Sequence, residues 1–215
     1  MTSLDFRRHV RNGRRGPTIT NWRNAVGRVV IDISVSLDGY VTGPDDNPED
    51  GLGAGGDVLH DWYLHSTEED TRLIDESEKN LGALICGRRT YDNSLKYWGD
   101  GGPHGKTPVF VVSHSVHEEG LAEGKPFTFV DNIQSAYELA TKTAGDKDVR
   151  VMGGADVPQQ FLKAGLVDEV TIHVVPAFTG GGQRLFDNLG PDVKLEQAAV
   201  VSSPAVTHLS FRPIR

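Results

Sequence analysis

The chain has 215 residues, 37% hydrophobic and 24% charged, which suits one globular domain or two small ones. No apolar run is long enough to span a bilayer, and the opening stretch MTSLDFRRHVRNGRRGPTITNW lacks the apolar centre of a secretory signal. The net charge of −8 is unevenly spread: seven arginines and one acid in residues 1–28 leave the remainder at −14, and an acidic body disfavours general nucleic-acid binding.

Residues 1–27 read as a basic N-terminal arm, flexible because it has no core of its own. The competing reading is an arm that touches RNA, a phosphate or an acidic neighbouring subunit. The ordered domain is expected over 28–215. It opens with VVIDISVS at 29–36, a nearly continuous β-branched run that reads as a central strand buried on both faces. The next 21 residues, LDGYVTGPDDNPEDGLGAGGD at 37–57, hold six glycines and two prolines. A connection that long reads as a lid or binding loop leaving the end of the strand, or else as an idle insertion.

A helix follows. Ser66 and Glu69 have capping-box spacing, Glu68, Glu69 and Asp70 suit the positive end of its dipole, and Leu73, Ile74, Ser77 and Leu81 form its partial apolar stripe. Strands are expected at ALIC (83–86), PVFVVS (108–113), FTFV (127–130) and VRVM (149–152). Asn132 caps a helix that carries Ile133, Ala136, Tyr137 and Ala140 on one face. A short helix is expected from Pro158 to Leu166. DEVTIHVVP (168–176), KLEQAAVVS (194–202) and AVTHLSF (205–211) complete the strands, the last two forming a hairpin that turns at Ser203-Pro204. Strand–helix alternation followed by strands alone implies a mostly parallel mixed sheet of about eight strands with a C-terminal antiparallel hairpin. The only cysteine, Cys86, lies in an apolar run and reads as a small buried hydrophobe, which suits a reducing cytoplasm.

Three strand ends carry phosphate-friendly chemistry. ICGRRT ends a strand at Gly87 and starts a helix with Arg88, Arg89 and Thr90; taken alone, the arginines could equally be solvated surface groups. VFVVSHS ends in Ser113, His114 and Ser115. VMGGADVPQQFL places Gly153, Gly154 and Ala155 between a strand and a helix, where backbone can approach a pyrophosphate. Together they suggest one groove along the C-terminal edge of a sheet, suited to a nucleotide with several phosphates. His173 and His208 sit mid-strand and read as packed, hydrogen-bonded side chains. No Cys/His cluster has metal-ligand spacing, so no metal is expected. There is no Gly-x-Ser-x-Gly elbow of a serine hydrolase.

The order SLDGYVTG, GRRTYD, VFVVSH, VRVMGGADVPQQFL, VDEVTIHVVPAFTGGGQRLF and VTHLSFR resembles the dihydrofolate reductase-like superfamily. The resemblance is closest to the branch related to the C-terminal reductase domain of bifunctional riboflavin biosynthesis enzymes, and it covers about residues 28–213. It implies an α/β three-layer sandwich, a homodimer, and NADPH as the hydride donor. Carried over, Arg88 meets the 2′-phosphate with Ser113 or His114. Gly87, Arg89, Thr90, Gly153, Gly154 and Ala155 lie along the phosphates, and the Gly-Gly pair can carry a cis peptide. Val41, Thr42 and Gly43 would lie against the nicotinamide. Asp38 sits where the active-site loop opens, or simply makes an Asp-Gly turn with Gly39. Asp61, or Asp57, stands in for the helix carboxylate of true folate reductases, without a convincing match. Trp62 either stacks on a planar ring or covers the core. Gly180, Gly181 and Gly182 approach a substrate phosphate beside Arg184, or form a connector. The implied function is an NADPH-dependent reductase for a small planar or sugar-like substrate, pyrimidine- or pteridine-like, related to 5-amino-6-(5-phosphoribosylamino)uracil reductase. The alternative is a non-catalytic nucleotide-binding or regulatory protein that keeps the cofactor groove.

Overall fold

A computed structural model describes residues 27–115 and 124–214; apart from Gly27, the basic arm lies outside them. The first strand, β1 (Val29–Ser36), alternates rather than presenting two equivalent faces. Val29, Ile31, Ile33 and Val35 point into the main apolar core, while Val30, Asp32 and Ser34 border a cavity on the other side. β1 is therefore buried on both faces as expected, but one face is polar.

The long loop leads through a 3-10 turn into the four-residue α1 (Asp61–Leu64), then α2 (Glu68–Asn80). The α2 cap is one residue later than the sequence suggested. Thr67, not Ser66, accepts from the Asp70 N–H, and the Asp70 carboxylate accepts the Thr67 N–H in return. Both spacings fit the motif; the second prevails because Asp70 is also anchored from the sheet by His208. Leu81, read as part of the helical stripe, instead starts β2 (Leu81–Gly87).

The remaining elements are α3 (Arg88–Trp98), β3 (Val109–Val112), β4 (Phe127–Val130), α4 (Ile133–Ala144) and β5 (Asp148–Val151). They are followed by α5 (Asp156–Lys163), β6 (Glu169–Val175), β7 (Leu195–Ser202) and β8 (Thr207–Pro213). The Asn132 side chain caps α4 by accepting the Ser135 N–H. α5 begins two residues before Pro158, which sits in the first turn where its missing N–H costs nothing.

All eight strands form one sheet in the order β4-β3-β2-β5-β1-β6-β8-β7. The pairs from β4 to β6 are parallel, and β8 pairs antiparallel with both β6 and β7. The eight-stranded mixed sheet with its C-terminal hairpin is thus present. One face packs through Ala136, Ala140, Ala144 and Phe161 on α4 and α5. On the other, Tyr91 of α3 packs over Leu84, Cys86 and Val111. Among the described residues no helix is long and apolar enough to cross a membrane. Chain order reverses about β1, between β5 and β6, and in open α/β sheets a crevice for ligands forms at such a point.

Candidate active site

A cavity of about 970 Å3 lies on the polar face of the sheet, under α1, α2 and α3. Its wall follows from strand register. Ser34 of β1, His173 of β6, His208 of β8 and Val201 of β7 are successive partners in one cross-strand row. Asp32, Thr171 and Ser210 form the adjacent row, and the Thr171 and Ser210 hydroxyls are 3.2 Å apart. Residues in register share a face, so the alternation of β1 carries across three neighbouring strands.

Three of these side chains and one from α2 form a continuous chain of hydrogen bonds. Asp32 Oδ1 is 2.7 Å from His173 Nε2, His173 Nδ1 is 2.7 Å from His208 Nδ1, and His208 Nε2 is 2.9 Å from Asp70 Oδ1. Trp62 covers the chain: its ring centroid is 4.7 Å from that of His173 and 5.1 Å from that of His208. Its indole N–H donates to Ser34 Oγ at 2.9 Å. Trp62 is therefore both core and wall, since it is buried and also borders the cavity. Asp32 Oδ2 accepts from Ser77 at 3.1 Å and lies 3.4 Å from Arg150 Nε.

Burial alone would raise the Asp32 carboxyl, but hydrogen bonding and charge from His173, with help from Arg150 and Ser77, hold it well below the usual carboxylate range. Burial likewise opposes the Asp70 carboxylate, yet His208 and Thr67 bring it down to about 2. Burial lowers His208 below the ordinary imidazole value against the pull of Asp70.

The other end of the cavity reaches the glycine turn. Gly153, Gly154, Arg89 and Thr90 border it, as do Val41 and Thr42. The Gly153–Gly154 peptide is cis. Thr90 is committed to this turn: its hydroxyl donates to the Gly153 carbonyl at 2.6 Å and accepts the Gly154 N–H at 2.7 Å. The N-cap residues of the flanking helices α3 and α5 are Gly87 and Ala155, neither of which caps with a side chain. Gly87 also lets β2 approach α5, since a Cβ there would lie 3.2 Å from Val157 Cγ2.

The two arginines diverge. Arg88 pairs with Asp92 at 2.8 Å and donates to Ser115 Oγ at 2.8 Å, at the end of β3 beside Ser113 and the exposed His114. Arg89 reaches back to the loop and pairs with Asp46 at 2.7 Å. Asp46 is buried and also accepts from Asn93 and Gln183, both at 2.9 Å. It thereby ties the 37–57 loop to α3 and to the 176–186 segment. No sequence reading singled it out, because it is one of six acids in a Gly/Pro-rich loop and only its partners distinguish it.

Other expected site residues lie elsewhere. Asp38 does not border the cavity. Its carboxylate accepts the N–H groups of Thr179 and Gly180 at 3.3 and 2.9 Å. It is held below its ordinary value first by the Ser36 hydroxyl and then, against slight burial, by those amides. Asp38-Gly39 is thus a turn that pins the 176–186 segment, with Gly39 at φ 92°. Asp61 is exposed at the cavity rim, and among the described residues the buried helix carboxylate is Asp70 instead. None of Gly180, Gly181 and Gly182 borders the cavity: Gly181 and Gly182 pack against the loop, where a Cβ on Gly182 would meet the Thr42 carbonyl at 2.2 Å, and Gly180 is exposed with open space beside it. Gly43 packs similarly against Ala54. Arg184 lies over the Tyr40 ring and donates to the Asp38 carbonyl. Asp32 and Asp70, the residues sequence reasoning missed, were signalled by the alternation of β1 and by the second capping box.

These features define a dihydrofolate reductase-like α/β sandwich with a polar cavity at the topological switch point. The RibD C-terminal domain family matches residues 28–209, and the chain belongs to that family. It is 24% identical to the uncharacterized protein YyaP of Bacillus subtilis over 79% of this chain and 85% of that one. The fold is similar to that of a pyrimidine reductase-like protein from Corynebacterium diphtheriae, with TM-score 0.62, 15% identity, and coverage of 88% of this chain and 92% of the other. It is also similar to dihydrofolate reductase from Enterococcus faecalis complexed with NADP(H), with TM-score 0.56, 16% identity, and coverage of 87% and 96%.

Proposed function

We propose that this protein is an NADPH-dependent reductase acting on a small planar or sugar-like substrate of the pyrimidine or pteridine class. The observation that carries the reading is one cavity that joins the glycine turn to a polar wall roofed by Trp62. The residues present suit a dinucleotide diphosphate: the N-termini of α3 and α5 are free of side-chain caps and flank a turn with no side chain of its own. NADPH supplies a hydride when bound. The chain's own part is to hold its phosphates at Gly153, Gly154 and the two helix starts, with Arg88 and Ser115 at the β3 edge taking the 2′-phosphate. Val41 and Thr42 floor the junction between the two ends of the cavity, and the loop fastened by Asp46 excludes water. The reading includes a homodimeric cytoplasmic enzyme.

Titration of the purified protein with NADPH and NADH tests it, repeated on Arg88→Ala. NADPH is expected to bind at least about tenfold tighter, a gap of about 1.4 kcal/mol, and the substitution to erase that preference. Absence of binding by either nucleotide at micromolar concentrations overturns the reading.

A further inference from the structure

The four-residue chain from Asp32 to Asp70 holds more hydrogen bonds than its ordinary protonation can supply. Three contacts of 2.7, 2.7 and 2.9 Å each require one proton. Two ionised carboxylates and two neutral imidazoles carry only two. If both imidazoles keep their protons on Nε2, facing the carboxylates, two Nδ1 lone pairs meet at 2.7 Å with nothing between them. One further proton satisfies every contact, and a second would force two N–H groups against each other.

We propose that His173 and His208 share one stored proton, and that Asp32 passes it to the substrate in the cavity during reduction. The delivery step rests on the reductase reading; the stored proton does not.

The surroundings suit one positive charge on the pair. Asp32 faces it from β1, Asp70 from α2 and Arg150 from β5, with the uncharged Ser34, Ser77 and Trp62 completing the shell. Arg150 also pairs with Glu78 at 3.0 Å, so three carboxylates are set against one guanidinium, and one shared cation brings the largely buried cluster from a net −2 to −1. The exposure gradient gives the relay a direction. Asp70 is fully buried and lies off the cavity, whereas His208, His173 and Asp32 all border it, and side-chain exposure rises from 4% through 12% to 18% toward Asp32. The same cavity reaches Gly153 and Gly154.

In the reduction, the acceptor carbon of a C=N or C=O group gains hydride as NADPH is oxidised to NADP+. The π electron pair is left on nitrogen or oxygen, and that atom takes a proton from Asp32. Asp32 draws its proton from His173 Nε2, while the shared proton settles on His173 Nδ1, still donated to His208. The pair is then neutral, and solvent returns one proton. Asp32 is the residue that meets the substrate. His173 and His208 store and position its proton, and Asp70 fixes the far imidazole.

Nitrogen-15 NMR of the histidine side chains in the full chain, without ligand, tests the store. Three N–H protons and one positive charge across His173 and His208 are expected, with the charge and one of the three protons lost in a single step shared by both rings when pH rises. His208→Gln should remove that step. Two neutral imidazoles, or two rings titrating independently, overturn the store whatever the variants do. Delivery is read from NADPH oxidation with 5-amino-6-(5-phosphoribosylamino)uracil and 7,8-dihydrofolate as probes. Asp32→Asn should lower kcat by about 100-fold. His173→Gln should flatten the pH profile over the range in which the wild-type pair titrates, with KM little changed. A wild type that oxidises NADPH while both variants keep its rate and pH profile overturns delivery alone. A wild type that oxidises none overturns delivery together with the reductase reading, and the store then stands or falls on the NMR spectrum alone.

Discussion

The two faces of the sheet share their strands and differ in almost everything else. On the α4–α5 face, Val29, Ile31, Ile33 and Val35 of β1 meet Phe161, Leu162 and the alanines of α4 in a continuous apolar core. One residue out of phase, Asp32 and Ser34 meet two imidazoles, an indole and a guanidinium around a cavity. A period of two lets one strand serve stability and chemistry separately. A slip of one residue would bury a carboxylate among Val and Ile and expose the apolar set.

That division is open to direct attack, starting with the apolar face. Phe161 is fully buried, and Phe161→Ala should cost about 4 kcal/mol in urea unfolding while leaving the histidine spectrum unchanged. A disturbed histidine spectrum with little loss of stability would merge the two faces.

Asp70→Asn comes next, at about 2 kcal/mol at neutral pH, because it removes an ionised partner of His208 and half of the α2 capping box. The folded value of Asp70, about 2, lies below its ordinary 3.8. Its contribution is therefore full above that ordinary value and is lost as pH falls toward 2. Wild type and Asp70→Asn should converge in thermal stability across that interval, and a gap that widens in acid would reverse the assignment.

Ser34→Ala probes the boundary between the faces. It strands the buried Trp62 indole N–H and should cost about 1 kcal/mol in thermal unfolding, with the apolar core untouched.

Much of this architecture was legible in the residues. The strands, the Asn132 cap and the C-terminal hairpin follow from local patterns, and the strand–Gly-Gly–helix segment lies at the cavity. The alternation of β1 was equally present, but a β-branched run interrupted by one Asp and two Ser passes easily for a uniformly buried strand. What could not be read locally is pairing at long range. His173 meets His208 only because β8 lies between β6 and β7, and Asp46 meets Arg89 across 43 positions. A lone strand histidine does look like a packed one, and both are; their chemistry comes from facing each other.

Strand order also sets when the site can exist during synthesis. Asp70 and His208 are 138 residues apart, and Asp32 and His173 are 141 apart. While the ribosome still holds β8, α2 is complete and β6 is an unpaired edge. The Asp70 carboxylate then has no imidazole to meet. Contacts of such separation form late and fold slowly. The hydrogen-bond chain from Asp32 to Asp70 is thus among the last features of the domain to assemble, and a nascent chain lacking β8 has no His208 to complete it.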